Sequence, residues 1–305
     1  MYNKFGTLKI GENTLYYIIA NETHLKGKGM HRLETVKKVF NVAGKEYEVL
    51  LTQKKGDAKL HAERITSSDA ESTIIAMGGD GTLHDILNGI KNFDKCSLGL
   101  IPFGTGNDFA ATAKIPMDVK RAAEIIAFKA PRYIDFIELS SGLRSINSVG
   151  MGIDVDILQR VYSKNMRGHT KYLRALIPSL LHFKNCNFTL EYDGKVEKHF
   201  GLIAALGNGK QFGGGITMFP HAEIDDGYLD LVIVDYISKP KMISAFFKLL
   251  SGKVDRIKKV TFVKTKAATF IHEDENYTLQ AEGELYDNMP LDAHIVENRL
   301  KFYLP

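Results

Sequence analysis

Between residues 14 and 130, short apolar runs alternate with stretches whose apolar residues recur every three or four positions. Residues 15–20 form an apolar run, and 31–40 carry Leu33, Val36, Val39 and Phe40 at helical spacing. Residues 47–52 are strand-like, and 57–65 continue as a helix with Ala58, Ala62 and Ile65 on one face. Residues 74–77 and 98–101 read as buried strands. Ala122, Ala123, Ile125 and Ile126 mark a helix starting near Pro116. Four strand–helix units with short loops predict an α/β N-terminal domain, a parallel sheet with helices on both faces. Ligands of such sheets bind beyond the carboxyl ends of the strands.

After about Pro131 the pattern changes. Residues 133–139, 144–149, 188–192, 200–206, 228–236, 260–263, 269–272 and 278–281 suit strands, with turn signals at Asp193-Gly194 and Asp226-Gly227. Helical spacing is confined to 153–162, 170–183 and 241–250. This half predicts a β-rich antiparallel sandwich. The expected division is 1–130 and 131–305, with the last residues returning to the N-terminal domain. Neither a repeat nor a long linker separates the two, so they should sit close together.

Composition changes the picture only modestly. The 305 residues, 44% hydrophobic and 25% charged, are those of a globular protein with ordinary cores. A net charge of +4 calls for no nucleic-acid partner but tolerates an anionic membrane surface. Cys96 and Cys186 stand in unrelated contexts without metal spacing, which fits a reducing cytosol. Residues 1–6 lack the apolar core of a signal peptide, and no stretch reaches the length of a spanning helix. The expectation is a cytoplasmic protein, with any membrane contact peripheral.

The candidate chemistry starts at Gly78-Gly79-Asp80-Gly81-Thr82, between the strand at 74–77 and the helical run from Leu83. A strand, a glycine turn and a helix N-terminus suit a phosphate, because backbone can approach closely and the helix end is partly positive. Asp80 among those donors points to a metal ion or a hydroxyl. A second loop, residues 102–110, holds Gly104-Thr105-Gly106-Asn107-Asp108 after another buried strand. Asn107 and Asp108 also suit an ordinary helix cap. Two such loops after two strands of one sheet should form a single phosphate-binding cleft.

These two segments together resemble the catalytic domain of the diacylglycerol kinase family. The likeness extends to residues 219–230, which contain Asp225-Asp226-Gly227-Tyr228-Leu229-Asp230, and to Ala281-Glu282-Gly283-Glu284, similar to a late Asp-Gly-Glu segment. It runs from Asn21 nearly to the C-terminus. It implies an α/β nucleotide domain followed by a β-rich lipid domain, a plan shared with NAD kinases, and ATP and Mg²⁺ as cofactors. Asn21 stands where the family opens its first nucleotide loop, although the usual Pro and Ser are replaced here. Thr52, Gly78, Gly79, Asp80, Gly81, Thr82, Leu83, His84, Asp85 and Thr105 match nucleotide contacts, and Asn107 and Asp108 belong to the second loop. Glu223, Asp226 and Tyr228 match a Mg²⁺ site, to which the resemblance implies that the first and last contribute backbone carbonyls and Asp226 its carboxylate. Read without the family, Asp225-Asp226-Gly227 is a turn and Thr52 an ordinary strand residue.

The resemblance implies transfer of a γ-phosphoryl group to the hydroxyl of diacylglycerol or a related lipid. Glu284 is the expected acid/base, Glu282 its partner or alternative, and Asp80 acts through metal, water or phosphate. Glu282 replaces the family's usual Asp. Two other readings stand beside this one: an NAD kinase, and a catalytically silent nucleotide- or lipid-binding regulator. Lys210-Gln211-Phe212-Gly213-Gly214-Gly215 reads as a substrate-side loop. The row Leu173, Leu176, Ile177, Leu180 and Leu181 reads as core packing before a lipid gate, with Arg167 and His169 near head groups. Exposed strands in the second half offer an edge for a homodimer.

Overall fold

The computed structural model describes residues 14–23, 25–166, 171–272 and 277–305. Residues 1–6, Arg167, His169 and the side chain of Leu173, all weighed above, lie outside that description. The first half supplies β1 (Leu15–Asn21), α1 (Lys28–Val42), β2 (Tyr47–Thr52), α2 (Asp57–Thr66), β3 (Ser72–Gly78) and α3 (Asp80–Gly89). There follow β4 (Cys96–Pro102), α4 (Asp108–Thr112) and α5 (Val119–Phe128). β1 pairs in parallel with β2 and β3, and β3 with β4, giving the order β2-β1-β3-β4. The chain crosses from β1 to β2 in one direction and from β2 through β3 to β4 in the other. Right-handed crossovers then put α1 on one face and α2 and α3 on the other. Accordingly α1 packs on α5 and α2 on α3, and β3, covered on both faces, is buried along its whole length.

The second half begins with β5 (Arg132–Leu139), β6 (Arg144–Ser145), β7 (Ser148–Gly152), α6 (Ile153–Ser163) and α7 (Lys171–His182). Next come β8 (Cys186–Tyr192), β9 (Lys195–Gly207), β10 (Gln211–Phe212), β11 (Ile216–Thr217), β12 (Leu229–Asp235) and α8 (Lys239–Leu250). The chain ends with β13 (Val260–Thr265), β14 (Ala267–His272), β15 (Thr278–Ala281), β16 (Glu284–Asp287) and β17 (Leu291–Phe302). β9 pairs antiparallel with β7, β8 and β12, and β15 pairs antiparallel with β7 and β16. The fold is therefore parallel α/β at the N-terminus and antiparallel β-sandwich at the C-terminus.

Several strands differ from the periodicity: β10, β11 and β16, like β17, lie outside the runs named from sequence. The run at 144–149 divides into β6 and β7, with Ile146 and Asn147 between them. β17 was not visible in the pattern at all. Its alternation holds from Leu291 to Ile295 and then breaks, because the pairing with β5 shifts register between Val296 and Leu300, where Asn298 is left-handed (φ 48°). Beyond that bulge Lys301 and Phe302 pair in parallel with Ser97 and Leu98 of β4. β17 thus continues the antiparallel sheet into the parallel one. Leu300, Phe302 and Leu304 are buried in the core around the parallel strands. Among the described residues no helix is long and apolar enough to cross a membrane.

Candidate active site

The carboxyl ends of the parallel strands form one rim. Asn21 pairs with Thr52 across β1 and β2, and Gly78 pairs with Pro102 across β3 and β4. The loops carrying the phosphate-type residues therefore start side by side. A Cβ on Gly79 would stand 2.8 Å from the Gly104 Cα, so the two glycine loops touch backbone to backbone. Only glycine fits at that crossing.

Polar side chains lock the loops together. Asn107 is buried and left-handed (φ 60°); its Oδ1 accepts from Gly104 N at 2.9 Å and its Nδ2 donates to Gly104 O at 2.8 Å. Asp80, in the first turn of α3, accepts from Asp108 N at 3.1 Å and Phe109 N at 3.2 Å, capping α4 from another element. Asp108 reaches the second half, where its oxygens accept from Gly214 N (2.9 Å) and Gly215 N (2.7 Å). Burial, with Asp80 nearby, pushes the Asp108 carboxyl up to about 6. The glycine run at 213–215 is therefore docked on the nucleotide-side loop.

Opposite this rim lies the turn between β15 and β16. Glu282 (φ 52°) and Gly283 (φ 79°) are both left-handed, as a two-residue type I′ hairpin turn requires. Asp-Gly is the favoured pair for that turn, so Glu282 occupies a position that suits the shorter acid. Its longer arm is used: Oε1 accepts from Asn147 N (2.6 Å), Ser148 N (3.2 Å) and the Ser145 hydroxyl. Burial outweighs these donors and pushes its carboxyl up to about 7. Glu284 instead faces the cleft. Lys55 Nζ, from the loop after β2, stands 2.8 Å from Glu284 Oε2.

The Tyr286 hydroxyl lies 3.4 Å from that same oxygen and 2.9 Å from His84 Nε2. Burial drives the His84 imidazole down to about 4, so it is neutral at physiological pH. Asn88 Nδ2 faces His84 Nδ1 at 3.3 Å, which places the ring proton on Nε2. Tyr286 then accepts from His84 and donates to Glu284.

The two glycine loops and the turn carrying Glu282 and Glu284 open on one cavity of about 410 Å³. At one end stand Gly79 to Thr82, Gly104 to Gly106, Glu282 and Glu284. The other end is aliphatic and aromatic, enclosed by α6, α7, α8 and the strands β9 and β12. Asp154, from the first turn of α6, also lines the cavity. It is buried, and its Oδ2 has no hydrogen-bond partner. Burial pushes its carboxyl up to about 7, against the Val155 N–H and the Gln280 side chain.

Two family profiles cover the chain. The diacylglycerol kinase catalytic domain matches residues 16–139, and the YegS C-terminal NAD kinase beta sandwich-like domain matches residues 147–304. The chain belongs to the diacylglycerol kinase family. The diacylglycerol kinase of Staphylococcus carnosus (strain TM300) is 30% identical over 293 residues, 94% of each chain. That of Staphylococcus aureus (strain MRSA252) is 29% identical over 297 residues, 94% of this chain and 91% of its own. A crystal structure of a diacylglycerol kinase from Bacillus anthracis str. Sterne superposes with a TM-score of 0.72 at 21% identity, covering 96% of this chain and 97% of that one. This last likeness shows the shared fold.

Within this lipid-kinase family plan, the residues named from the sequence fall into groups. Asp80, Gly81, Thr82, Thr105, Asp108, Glu282 and Glu284 meet at the cavity. Leu83 is core, and its N–H is given to Gly79 O at 3.2 Å. His84 supports Tyr286, and Asp85 accepts from Gly56 N at 3.3 Å. Asn107 is a clamp for its own loop. Glu223, Asp226 and Tyr228 lie away from this cavity. Asp226 accepts from Tyr228 N at 3.0 Å and is ion-paired with Lys264, while the Tyr228 ring packs under Lys266. Among the described residues, no three His, Cys, Asp or Glu side chains gather as a metal cage. The site implied by the resemblance needs only the Asp226 carboxylate beside two backbone carbonyls, and in this structure that carboxylate is paired with Lys264.

Lys264 also stands 3.3 Å from the buried Asp230. Lys264→Met is expected to cost about 1–2 kcal/mol, read by urea unfolding at neutral pH, since it leaves both carboxylates without their cation. Sequence reasoning missed Lys55, Tyr286 and Asp154. Lys55 had a readable signal, a basic residue in a third strand-end loop, Thr52-Gln53-Lys54-Lys55-Gly56. The other two depend on distant pairings.

Proposed function

We propose that this protein transfers the γ-phosphoryl group of MgATP to a free hydroxyl of diacylglycerol or a related lipid. The carrying observation is that one cavity joins a glycine turn at a helix N-terminus, a pair of carboxylates and an apolar chamber. The turn and the α3 N-terminus suit the phosphates of ATP. Mg²⁺, arriving with ATP as substrate, supplies charge neutralisation on the transferring group. Lys55 adds a cation on the nucleotide side. Glu284 orients the lipid hydroxyl and takes its proton as the oxygen attacks phosphorus. Glu282 holds the turn that presents Glu284. The apolar chamber takes acyl chain and keeps water from competing as acceptor. It offers few polar groups to a second nucleotide, which favours a lipid over NAD.

The test is transfer from labelled ATP, with Mg²⁺ present, to a panel of acceptors: diacylglycerol, monoacylglycerol, ceramide, sphingosine, undecaprenol and NAD. Labelled lipid is the expected product. Labelled NAD phosphate in its place would select the NAD kinase reading. ATP binding without any labelled product would leave a silent regulator.

A further inference from the structure

Behind Glu284 stands a row of hydrogen bonds that the phosphoryl transfer described above leaves unused. Glu284 and Tyr286 are two residues apart on β16, so their side chains share one face of the strand. His84 and Asn88 are four apart on α3, one above the other on the helix face that meets β6. The β15–β16 hairpin thus brings the Tyr286 hydroxyl to the His84 ring, 202 residues away in sequence.

The direction of each proton in this row is set from its far end. Arg144 N donates to Asn88 Oδ1 at 2.9 Å, and Asn88 Nδ2 donates to Arg144 O at 2.8 Å. Two backbone groups of β6 therefore decide which way the amide points. Its Nδ2 faces His84 Nδ1, so Nδ1 can only accept and the ring proton sits on Nε2. That proton is given to the Tyr286 oxygen at 2.9 Å. The phenol has a single hydrogen, and it faces Glu284 Oε2 at 3.4 Å. His84 is 2% exposed, and burial keeps its ring neutral. Burial, with Glu284 beside it, likewise holds the Tyr286 phenol protonated. Neither group titrates near neutral pH, so the row is a fixed line of dipoles and passes no proton.

Glu284 Oε2 has a second donor, Lys55 Nζ at 2.8 Å. A carboxylate oxygen offers two lone pairs, and both are then taken. Oε1 is left to meet the lipid hydroxyl. Lys55 cannot aim it alone, because its side chain is 74% exposed and an ammonium on a flexible stem sets no direction.

We propose that Tyr286 and His84 are positioning residues, holding Glu284 by Oε2 so that Oε1 takes the proton of the lipid hydroxyl. The inference rests on the kinase reading and adds to it which oxygen acts and what aims it. As the lipid oxygen bonds to phosphorus, the bond from phosphorus to the ADP oxygen breaks. The hydroxyl proton moves to Oε1, while Tyr286 and His84 keep theirs.

The experiment is steady-state transfer from MgATP to dispersed diacylglycerol by wild type, Tyr286→Phe, His84→Leu, His84→Gln and the double variant Tyr286→Phe with His84→Leu. Tyr286→Phe is expected to lower kcat about 10- to 10²-fold with both KM values unchanged, the cost of a misplacement of up to about 1 Å. His84→Leu should lose nearly as much. The double variant should lose no more than Tyr286→Phe alone, because both residues act through one contact. His84→Gln, whose Nε2 can donate to the phenol, should recover most of the rate. Ring ¹⁵N shifts of His84, assigned by their loss in His84→Gln, should show the neutral Nε2–H tautomer at neutral pH, a measurement that needs no turnover. Wild-type kcat in Tyr286→Phe would overturn the proposal, as would losses that multiply in the double variant or an Nδ1–H tautomer. Should His84→Leu fail to fold, Tyr286→Phe and the ring shifts still decide. Wild type that labels no lipid, with the tautomer as stated, would instead sink the kinase reading and this role with it.

Discussion

Replacing Glu284 by Gln is expected to lower kcat for a diacylglycerol acceptor by about 10²- to 10⁴-fold, the range a positioned general base contributes. Gln keeps the shape and the contact with Tyr286 but cannot take the hydroxyl proton. Stability should barely move, since the pair with the exposed Lys55 is worth at most about 1 kcal/mol. Thermal unfolding and ATP binding of the variant should therefore match wild type. Glu282→Gln provides the contrast. An amide oxygen can still accept from Asn147, Ser148 and Ser145, so the turn survives and most activity with it. If Glu282→Gln loses turnover and Glu284→Gln does not, the base is Glu282. Asp80→Asn should also remove most turnover without unfolding the chain. Asn has one acceptor oxygen where Asp80 uses two, so one N–H at the start of α4 loses its partner and the facing loops loosen.

Asp154→Asn is expected to act in the opposite sense on stability. The native carboxyl titrates near 7, against an ordinary value of 3.8, because burial disfavours its charge. Between those values the folded chain holds a proton that the unfolded chain has lost. Stability contributed at low pH therefore drains away as pH rises from about 4 to about 7. At about 1.36 kcal/mol per unit, the full loss is up to about 4 kcal/mol above pH 7. Asn carries no charge to bury and preserves the volume. The variant should be more stable than wild type by several kcal/mol at pH 8 and nearly equal to it at pH 4. Urea denaturation at the two pH values measures this difference. Equal stabilities at pH 8 would mean that the carboxylate finds a partner in solution and that its burial carries no cost.

Legibility from sequence followed the range of the physics involved. The glycine turn at 78–82 was readable because strand, turn and helix N-terminus are contiguous, and each leaves a local mark in residue type. The same holds for the loop at 104–108 and for the alternation of strands and helices before Pro131. Glu282-Gly283 was readable as a pair, but its type I′ geometry, and thus the reason Asp suits the first position, needed backbone angles. β17 escaped the pattern because its bulge at Asn298 breaks the two-residue period halfway along. The apolar row of α7 could not be divided into cavity wall (Leu176, Leu180) and surface (Ile177, Leu181), because helical spacing shows that a face exists without showing what meets it.

The chain's local chemistry thus specified a nucleotide-type rim, a late acidic turn and the family to which both belong. Tertiary contact assigned the individual duties. It made Asp80 a cap for α4, Asn107 a clamp and Asp108 a strut to the second half. It joined Glu284 to Lys55, and placed Lys264 beside Asp226. Except for the Asn107 clamp, which is local, these depend on partners tens to hundreds of residues apart, and no local propensity encodes which distant donor will reach a given carboxylate. The cavity is the extreme case. Its walls are ordinary leucines, isoleucines and phenylalanines, identical in sequence to core, and only packing shows that they enclose space instead of filling it.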